Sequence, residues 1–337
     1  MQAAVIGVGY WGPNLVRNLH SNEKVKRIFV FDIDSVRLKL IKNKFPGIHL
    51  ANSLDDIWVN DRINLVFIAT PVHMHYNLAI KALEAGKHIW VEKPFTLNVK
   101  QAEELINLSE KKGVRIFVDH TFIYTDAVRK VKEIVDSKLL GKLLYFDSVR
   151  INLGIFQTDV NVIWDLATHD LSILKYLIGF NIKAISAHGI AHYLHNENIA
   201  HISIYFEQNC FAHIHVNWTS PVKIRRILIG GSEKMLFYDD LENVEKIRVF
   251  DSSIVLNSKE NIYEALVQYR MGDMYSPRIN QTEALTFAVE EFISAVEENR
   301  TPLTSGYDGL EIVRLLEMAD YSLKHQGKII YLDSNEE

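Results

Sequence analysis

Short apolar runs and amphipathic stretches alternate through the first 120 residues. "AAVIGVG" is a continuous hydrophobic run, the pattern of a strand buried on both faces. The spacing then predicts a helix from about Gly12 to Leu19 and a strand over "VKRIFVFD". "SVRLKLIKNKF" places Leu38, Ile41 and Phe45 on one helical face. "INLVFIAT" reads as a strand, "HYNLAIKALEAG" as a helix stopped by Gly86, and "HIWVEKP" as another strand. "NVKQAEELINLSEKKG" reads as a helix stopped by Gly113, and "VRIFVDH" as a further strand. Strands and helices alternating at these lengths predict an α/β domain over residues 1–120, a doubly wound parallel sheet with right-handed crossovers.

Past residue 120 the pattern changes. "TDAVRKVKEIVDSKLLG" and "WDLATHDLSILKYLIG" are helical, and long alternating strands follow between about 181 and 270, among them "AHISIYFEQ", "FAHIHVNW" and "IRRILIGG". Two amphipathic stretches, "QTEALTFAVEEFISAVEENR" and "GLEIVRLLEMADYSLKHQG", close the chain. Strands without intervening helices predict a second, α+β domain over 121–337 with a mostly antiparallel open sheet. The alternation leaves one sheet face available to a partner subunit, so a homo-oligomer, dimer or tetramer, is expected through the C-terminal sheet. The histidines at 188, 192, 195, 201, 213 and 215 read as sheet-face residues.

Charge and composition narrow the partners. The net charge is −5 with acids and bases interspersed, and no basic block suggests nucleic acid or a membrane surface. No run of eighteen apolar residues suggests a membrane span. The N-terminus enters a strand at once, without the marks of a secretory leader. A single cysteine, Cys210, fits a reducing cytoplasm and is expected to pack within a strand. These features describe a cytoplasmic protein with a small-molecule ligand.

The chemistry begins at "GVGYWG", residues 7–12. Gly7, Gly9 and Gly12, with Tyr10 and Trp11 between them, follow a strand and open a helix. Such spacing gives a tight turn, close backbone approach to a pyrophosphate, and a helix N-terminus for its charge. Asp32 ends the second strand about twenty residues on, where an acid receives the ribose hydroxyls. Its carboxylate would repel a 2′-phosphate, so NAD is favoured over NADP, although Arg37 stands near enough to swing in. "HIWVEKP" delivers Glu92 and Lys93 to a strand end, the edge at which ligands of open α/β sheets bind. Asp165 and His169, four positions apart in a helix with Leu166, Leu171, Leu174 and Leu177, share one face. An ordinary helix pair has the same spacing. Asp170 reads as a helix-face residue. His73 and His75 have no carboxylate or cysteine partners nearby in sequence, and no metal site is expected.

With these residues in hand, the chain resembles the Gfo/Idh/MocA family, relatives of glucose–fructose oxidoreductase and inositol dehydrogenase. "GVGYWG", "ATPVHMHYNLAIKALEAGKHIWVEKP", "WDLATHDLSIL" and "PLTSGYDGLEIVRLLEMADYSL" carry the likeness in the family's order. The resemblance implies a Rossmann domain for NAD, with Ala69, Thr70, Pro71 and His75 lining the nicotinamide side and Glu92 as a neighbouring cofactor residue. It also implies Lys93 as an active-site lysine, often followed by a cis peptide bond to proline. Asp165 and His169 would be its acid–base partners, His169 having an ordinary pKa of about 6.5, close to working pH. Many relatives carry a glycine-rich lead-in where this chain has "DVNVIWD", so Asn161 and Trp164 are expected to reshape the pocket. Tyr124, Arg150, Asn152 and Arg278 are further candidate substrate contacts by position.

The reading is an NAD-dependent oxidoreductase acting on a secondary hydroxyl, or its ketone, of a sugar, cyclitol or nucleotide-linked sugar. An NAD-dependent glycoside hydrolase working by transient oxidation and a non-catalytic NAD-binding regulator remain as alternatives.

Overall fold

A computed structural model describes residues 1–332 other than 155, 180, 194 and 257–266. The chain divides into two compact units, Met1–Tyr124 with Glu283–Glu317, and Thr125–Thr282 with Met318–Glu337. A single boundary near residue 120 therefore needs correcting: the segment from Glu283 to Glu317 returns to the first unit.

Six parallel strands build that unit: β1 (Gln2–Ile6), β2 (Arg27–Phe31), β3 (His49–Leu50), β4 (Leu65–Ile68), β5 (His88–Val91) and β6 (Ile116–Val118). Their order is β3-β2-β1-β4-β5-β6, so the chain reverses its winding between β1 and β4, the switch point of a doubly wound sheet. Ala3, Ala4 and Val5 of β1 and all of β4 are fully buried, which explains why these strands read as unbroken apolar runs. The connecting helices are α1 (Gly12–Ser21), α2 (Ser35–Lys44), α3 (Asp55–Trp58), α4 (Val72–Glu84) and α5 (Val99–Lys112). Of the three residues expected to face inward from α2, only Ile41 is fully buried. Helix α5 is capped by the Asn98 side chain and ends at Gly113, whose φ of 66° closes the last turn.

What brings the distant segment back is aromatic packing. Phe292, on α8 (Ala284–Glu297), sits among Phe67, Trp90 and Phe117 at centroid distances of 5.6, 6.0 and 5.5 Å. Trp90 and Phe117 stack at 4.1 Å. All four side chains are fully buried. Thr286 donates a hydrogen bond to Asn18 on α1 at 2.8 Å, and Glu283 pairs with Arg17. The last helix, α9, spans Gly306–Lys324.

The second unit is a nine-stranded sheet among the described residues. Its strands are β7 (Leu143–Leu153), β8 (Ile182–Ile190), β9 (Ile199–Phe206), β10 (Phe211–Asn217), β11 (Thr219–Gly231), β12 (Met235–Asp239), β13 (Ile247–Phe250), β16 (Met274–Tyr275) and β17 (Ile330–Tyr331). A separate pair, β14 (Ser253–Leu256) and β15 (Val267–Arg270), stands outside it. Every neighbouring pair in the large sheet is antiparallel except β7 with β10. Two helices, α6 (Asp126–Asp136) and α7 (Thr168–Ile178), belong to this unit. Ala212, Ile214 and Val216 of β10 are fully buried while Phe211, His213 and His215 alternate with them, the period of two expected for a sheet with one covered face. His188, His201, His213 and His215 lie on these strands as expected, but His192 and His195 fall in the connection before β9. Cys210 is buried in the β9–β10 turn rather than within a strand.

Truncating the residue at the centre of the aromatic cluster tests the corrected boundary. Phe292→Ala should destabilise the nucleotide-binding unit by about 3–5 kcal/mol, read as a lowered unfolding midpoint for that unit. An unchanged midpoint would show that α8 contributes nothing to it.

Candidate active site

Four residues stand side by side where the parallel strands end. The N–H of Gly7 donates to Phe31 O at 2.8 Å, that of Ala69 to Ile6 O at 2.8 Å, that of Glu92 to Ile68 O at 3.0 Å, and that of Asp119 to Val91 O at 2.9 Å. The ladder thus runs one rung past the strands and pins the first residue of each loop.

The glycine loop is shaped by crowding. Gly7 has φ +92°, and a Cβ on it would stand 2.5 Å from Ala69 O; a Cβ on Gly12 would stand 2.1 Å from Gly7 O. Both positions exclude a side chain for reasons internal to the fold. Gly9 differs, because a Cβ there would meet only the tip of Arg37, at 3.4 Å. Its surroundings leave room for an approaching phosphate. Asp32 accepts hydrogen bonds from the backbone N–H of Val8 at 2.7 Å and of Asp34 at 2.8 Å. Arg37 lies 4.0 Å from the Asp32 carboxylate and 3.4 Å from that of Asp34. Tyr10 is 91% exposed at the loop tip, whereas the Trp11 indole donates to Asp119 at 3.1 Å.

The buried hydroxyl of Thr70 and Oε1 of Glu92 on this edge make no hydrogen bond among the described residues. Orphaned groups beside an open glycine loop are what a dinucleotide's amide and hydroxyls would satisfy. Gly9, Asp32, Thr70 and Glu92 therefore fit NAD. The Lys93–Pro94 peptide is cis, in keeping with the resemblance. His75 requires a correction. It is 1% exposed and does not line an open face; its two ring nitrogens lie 2.9 Å from the carbonyl oxygens of Pro94 and Thr70. It joins the two loops that carry Thr70 and Lys93.

In the second unit, Asp165 and His169 do not sit in one regular α-helix. Residues Ile163–Ala167 form a π-helical turn before α7 begins, and such turns recur at functional sites. The backbone N–H groups of Ile163 and Trp164 donate to the Asn161 side chain at 3.1 and 3.4 Å, so Asn161 caps the turn rather than shaping a pocket. Asp165 accepts from the buried Trp218 indole at 3.0 Å. Asp165 and His169 are both partly exposed.

Three expected substrate contacts are withdrawn by burial. Tyr124 is fully buried and bonds to Thr304 at 3.0 Å. Trp164 is 7% exposed. Arg150 is buried in a bidentate pair with Asp170, Nε–Oδ2 2.6 Å and Nη2–Oδ1 3.2 Å, to which Ser148 adds a bond at 2.7 Å. Burial alone would lower the Arg150 pKa, but the charge of Asp170 raises it. Asp170 is thus a structural anchor, not an outward helix-face residue. Asn152 is partly exposed and Arg278 exposed, so both remain open to a ligand.

A strand–Gly-rich turn–helix with an acid on the next strand defines a dinucleotide-binding oxidoreductase unit. Residues 1–120 match the family model described as "Oxidoreductase family, NAD-binding Rossmann fold", and 128–237 match "GFO/IDH/MocA C-terminal domain". The chain belongs to the Gfo/Idh/MocA family of NAD(P)-dependent dehydrogenases and reductases. A myo-inositol 2-dehydrogenase of Thermotoga maritima is 22% identical, covering 98% of each chain. Among solved structures, UDP-N-acetylglucosamine 3-dehydrogenase GnnA from Acidithiobacillus ferrooxidans superposes with TM-score 0.81 at 20% identity over 96% of this chain and 98% of that one. GenD2 from gentamicin A biosynthesis, solved in complex with NAD, gives 0.83 at 18% identity over 99% and 97%. Among the described residues no helix is long and apolar enough to cross a membrane.

The glycine loop offers a sharp test. Gly9→Ala should change stability by less than about 0.5 kcal/mol while weakening NADH binding about tenfold or more. Gly12→Ala should lower both the unfolding midpoint and the affinity. Undiminished NADH binding by Gly9→Ala would remove that glycine from the phosphate site.

Proposed function

We propose that the protein is an NAD-dependent dehydrogenase acting on a secondary hydroxyl, or its ketone, of a sugar, cyclitol or nucleotide-linked sugar. The observation that carries the reading is the row of loop-starting residues at the carboxyl ends of the parallel strands, with Lys93 next to Glu92 in that row. Similarity to GnnA inclines the substrate toward a nucleotide sugar oxidised at C3. The carboxylate of Asp32 favours NAD over NADP, while Arg37, 4.0 Å away, keeps some tolerance for a 2′-phosphate.

Bound nicotinamide supplies the hydride acceptor. The chain's own groups handle the proton and the charge. His169 takes the hydroxyl proton as general base, and the carboxylate of Asp165, held by Trp218, orients the imidazole or a neighbouring substrate hydroxyl. Lys93 stabilises negative charge on the substrate oxygen and relays its proton. Asn152 and Arg278 are the remaining proposed substrate contacts.

We further propose a homo-oligomer, dimer or tetramer, through the open face of the nine-stranded sheet, in a reducing cytoplasm. Tyr205 and Phe211 are each 37% exposed there and meet edge to face at 5.3 Å. His201 stacks on His215 at 4.2 Å. Burial, followed by the neighbouring His201 and His213, pushes the His215 pKa down to about 4, so that ring is uncharged at neutral pH and the face favours self-association.

Screening inositols, free sugars and sugar nucleotides for NAD reduction tests the chemistry. With the substrate found, Lys93→Ala and His169→Asn should each lower kcat by about a hundredfold or more with NADH binding retained. Turnover untouched by either change would sink the mechanism. For the assembly, Tyr205→Lys combined with Phe211→Lys should yield monomers by light scattering, and an oligomer that survives both changes would place the interface elsewhere.

A further inference from the structure

We propose that Asp119 is a positioning residue, sharing one proton with Glu92 and so fixing the charge that Lys93 and the glycine loop meet at the strand edge. The inference rests on Lys93 acting beside the nicotinamide.

The register brings the two carboxyl groups together. Val91 pairs with Val118 in the parallel β5–β6 ladder, so Glu92 and Asp119 are the next residues on adjacent strands and point to the same face. Glu92 and Asp119 thus stand next to each other at the ends of paired strands. Asp119 is 1% exposed, and both of its oxygens are acceptors: Oδ2 from the Trp11 indole at 3.1 Å and Oδ1 from the Thr121 hydroxyl at 2.5 Å. A group that only accepts is a carboxylate. Two neighbouring carboxyl groups at this edge do not readily both ionise, and with Asp119 accepting at both oxygens the shared proton is assigned to Glu92. Oε1 of Glu92 then remains as a carbonyl-type acceptor for a ligand.

Burial, reinforced by Asp119, lifts the Glu92 carboxyl well above the usual carboxylate range. Burial also raises Asp119, and the donors Thr121, Glu92 and Trp11 hold that rise in check. The other groups facing the pair are the Lys93 ammonium, which opposes both shifts, and the neutral Tyr124 hydroxyl, itself pushed up chiefly by burial. The adjacent His120 ring is buried as well. With the proton in place, Lys93 faces one negative charge rather than two. The Trp11–Asp119 bond ties the phosphate-binding loop to the same pair.

The sign of the pH effect follows from a raised carboxyl. The stability contributed by this protonated carboxyl is fully present below the unfolded glutamate pKa of about 4.3 and is lost as pH rises through the folded value. Activity should fall over the same range, as the pair becomes doubly ionised.

Infrared difference spectra of the intact protein between neutral and alkaline pH decide the matter without turnover. The wild type should show one protonated carboxyl band at pH 7 that is lost on raising the pH. Glu92→Gln should abolish the band. Asp119→Asn should move its titration down by at least one pH unit and weaken NADH binding several-fold through loss of the Trp11 tie. In turnover, Glu92→Gln should remove the alkaline limb of the kcat profile, while Asp119→Asn should lower kcat at least tenfold and raise KM for NAD. Absence of the band from the wild type, or its persistence in Glu92→Gln, overturns the proposal even if Asp119→Asn fails to fold. Failure to reduce NAD with any sugar, with the band present and titrating, would instead overturn the functional reading alone.

Discussion

The parallel ladder is the constraint on which the nucleotide-binding unit depends. Each loop at the carboxyl edge starts from a residue whose N–H still belongs to the sheet, as at Gly7, Ala69, Glu92 and Asp119. A hydrogen bond of this kind contributes only about 1 kcal/mol. Its larger effect is geometric: it fixes where the next side chain begins, and the strands beneath it are buried on both faces and cannot slide. The glycine turn, the Thr70 hydroxyl and the Glu92–Lys93 pair inherit their placement from that sheet. His75 completes the arrangement by spanning the Thr70 and Pro94 carbonyls.

The second unit places its groups by another route. Asp165 lies in a π-helical turn capped by Asn161 and is held by the Trp218 indole. Behind that turn, Asp170 on α7 grips Arg150 on β7. Taking one member of such a buried pair away leaves an uncompensated charge, a cost of about 3–5 kcal/mol. The pair therefore fixes the helix against the sheet, whatever its net worth relative to an apolar packing. Partly exposed Asp165 and His169 are carried on a rigid base.

Much of this was legible in the residues because the patterns are local. Unbroken apolar runs mark strands buried on both faces, glycines 7, 9 and 12 mark the turn, and alternation marks β9 and β10. The misreadings at Tyr124, Arg150 and Trp164 share one cause. Position near a strand end says where a backbone lies, not whether a side chain turns toward solvent or core. Arg150 points inward because Asp170 is there to meet it, a partner twenty residues away that no local period reveals. His75 sits at a helix start where a pocket residue is expected, yet its ring clamps two backbone carbonyls. Asp119 ends the strand "VRIFVDH" much as Asp32 ends its own, but it lies far outside the spacing that marks a ribose-binding acid, so no motif singles it out. Trp218 left no local signal, since a tryptophan after a strand is ordinarily just core.

The return of α8 to the first unit bears on how the chain is made. The nucleotide-binding unit is discontinuous, with Phe292 supplied by a segment that follows nearly the whole of the second unit. During synthesis the sheet of β1–β6 leaves the ribosome with its aromatic cluster open, and stays so for about ten to thirty seconds at ordinary elongation rates. Trp90 and Phe117 lack the cover of Phe292 through that interval. The second unit, by contrast, has most of its strands before α8 emerges, so the half of the protein that begins first is the half that must wait to be sealed.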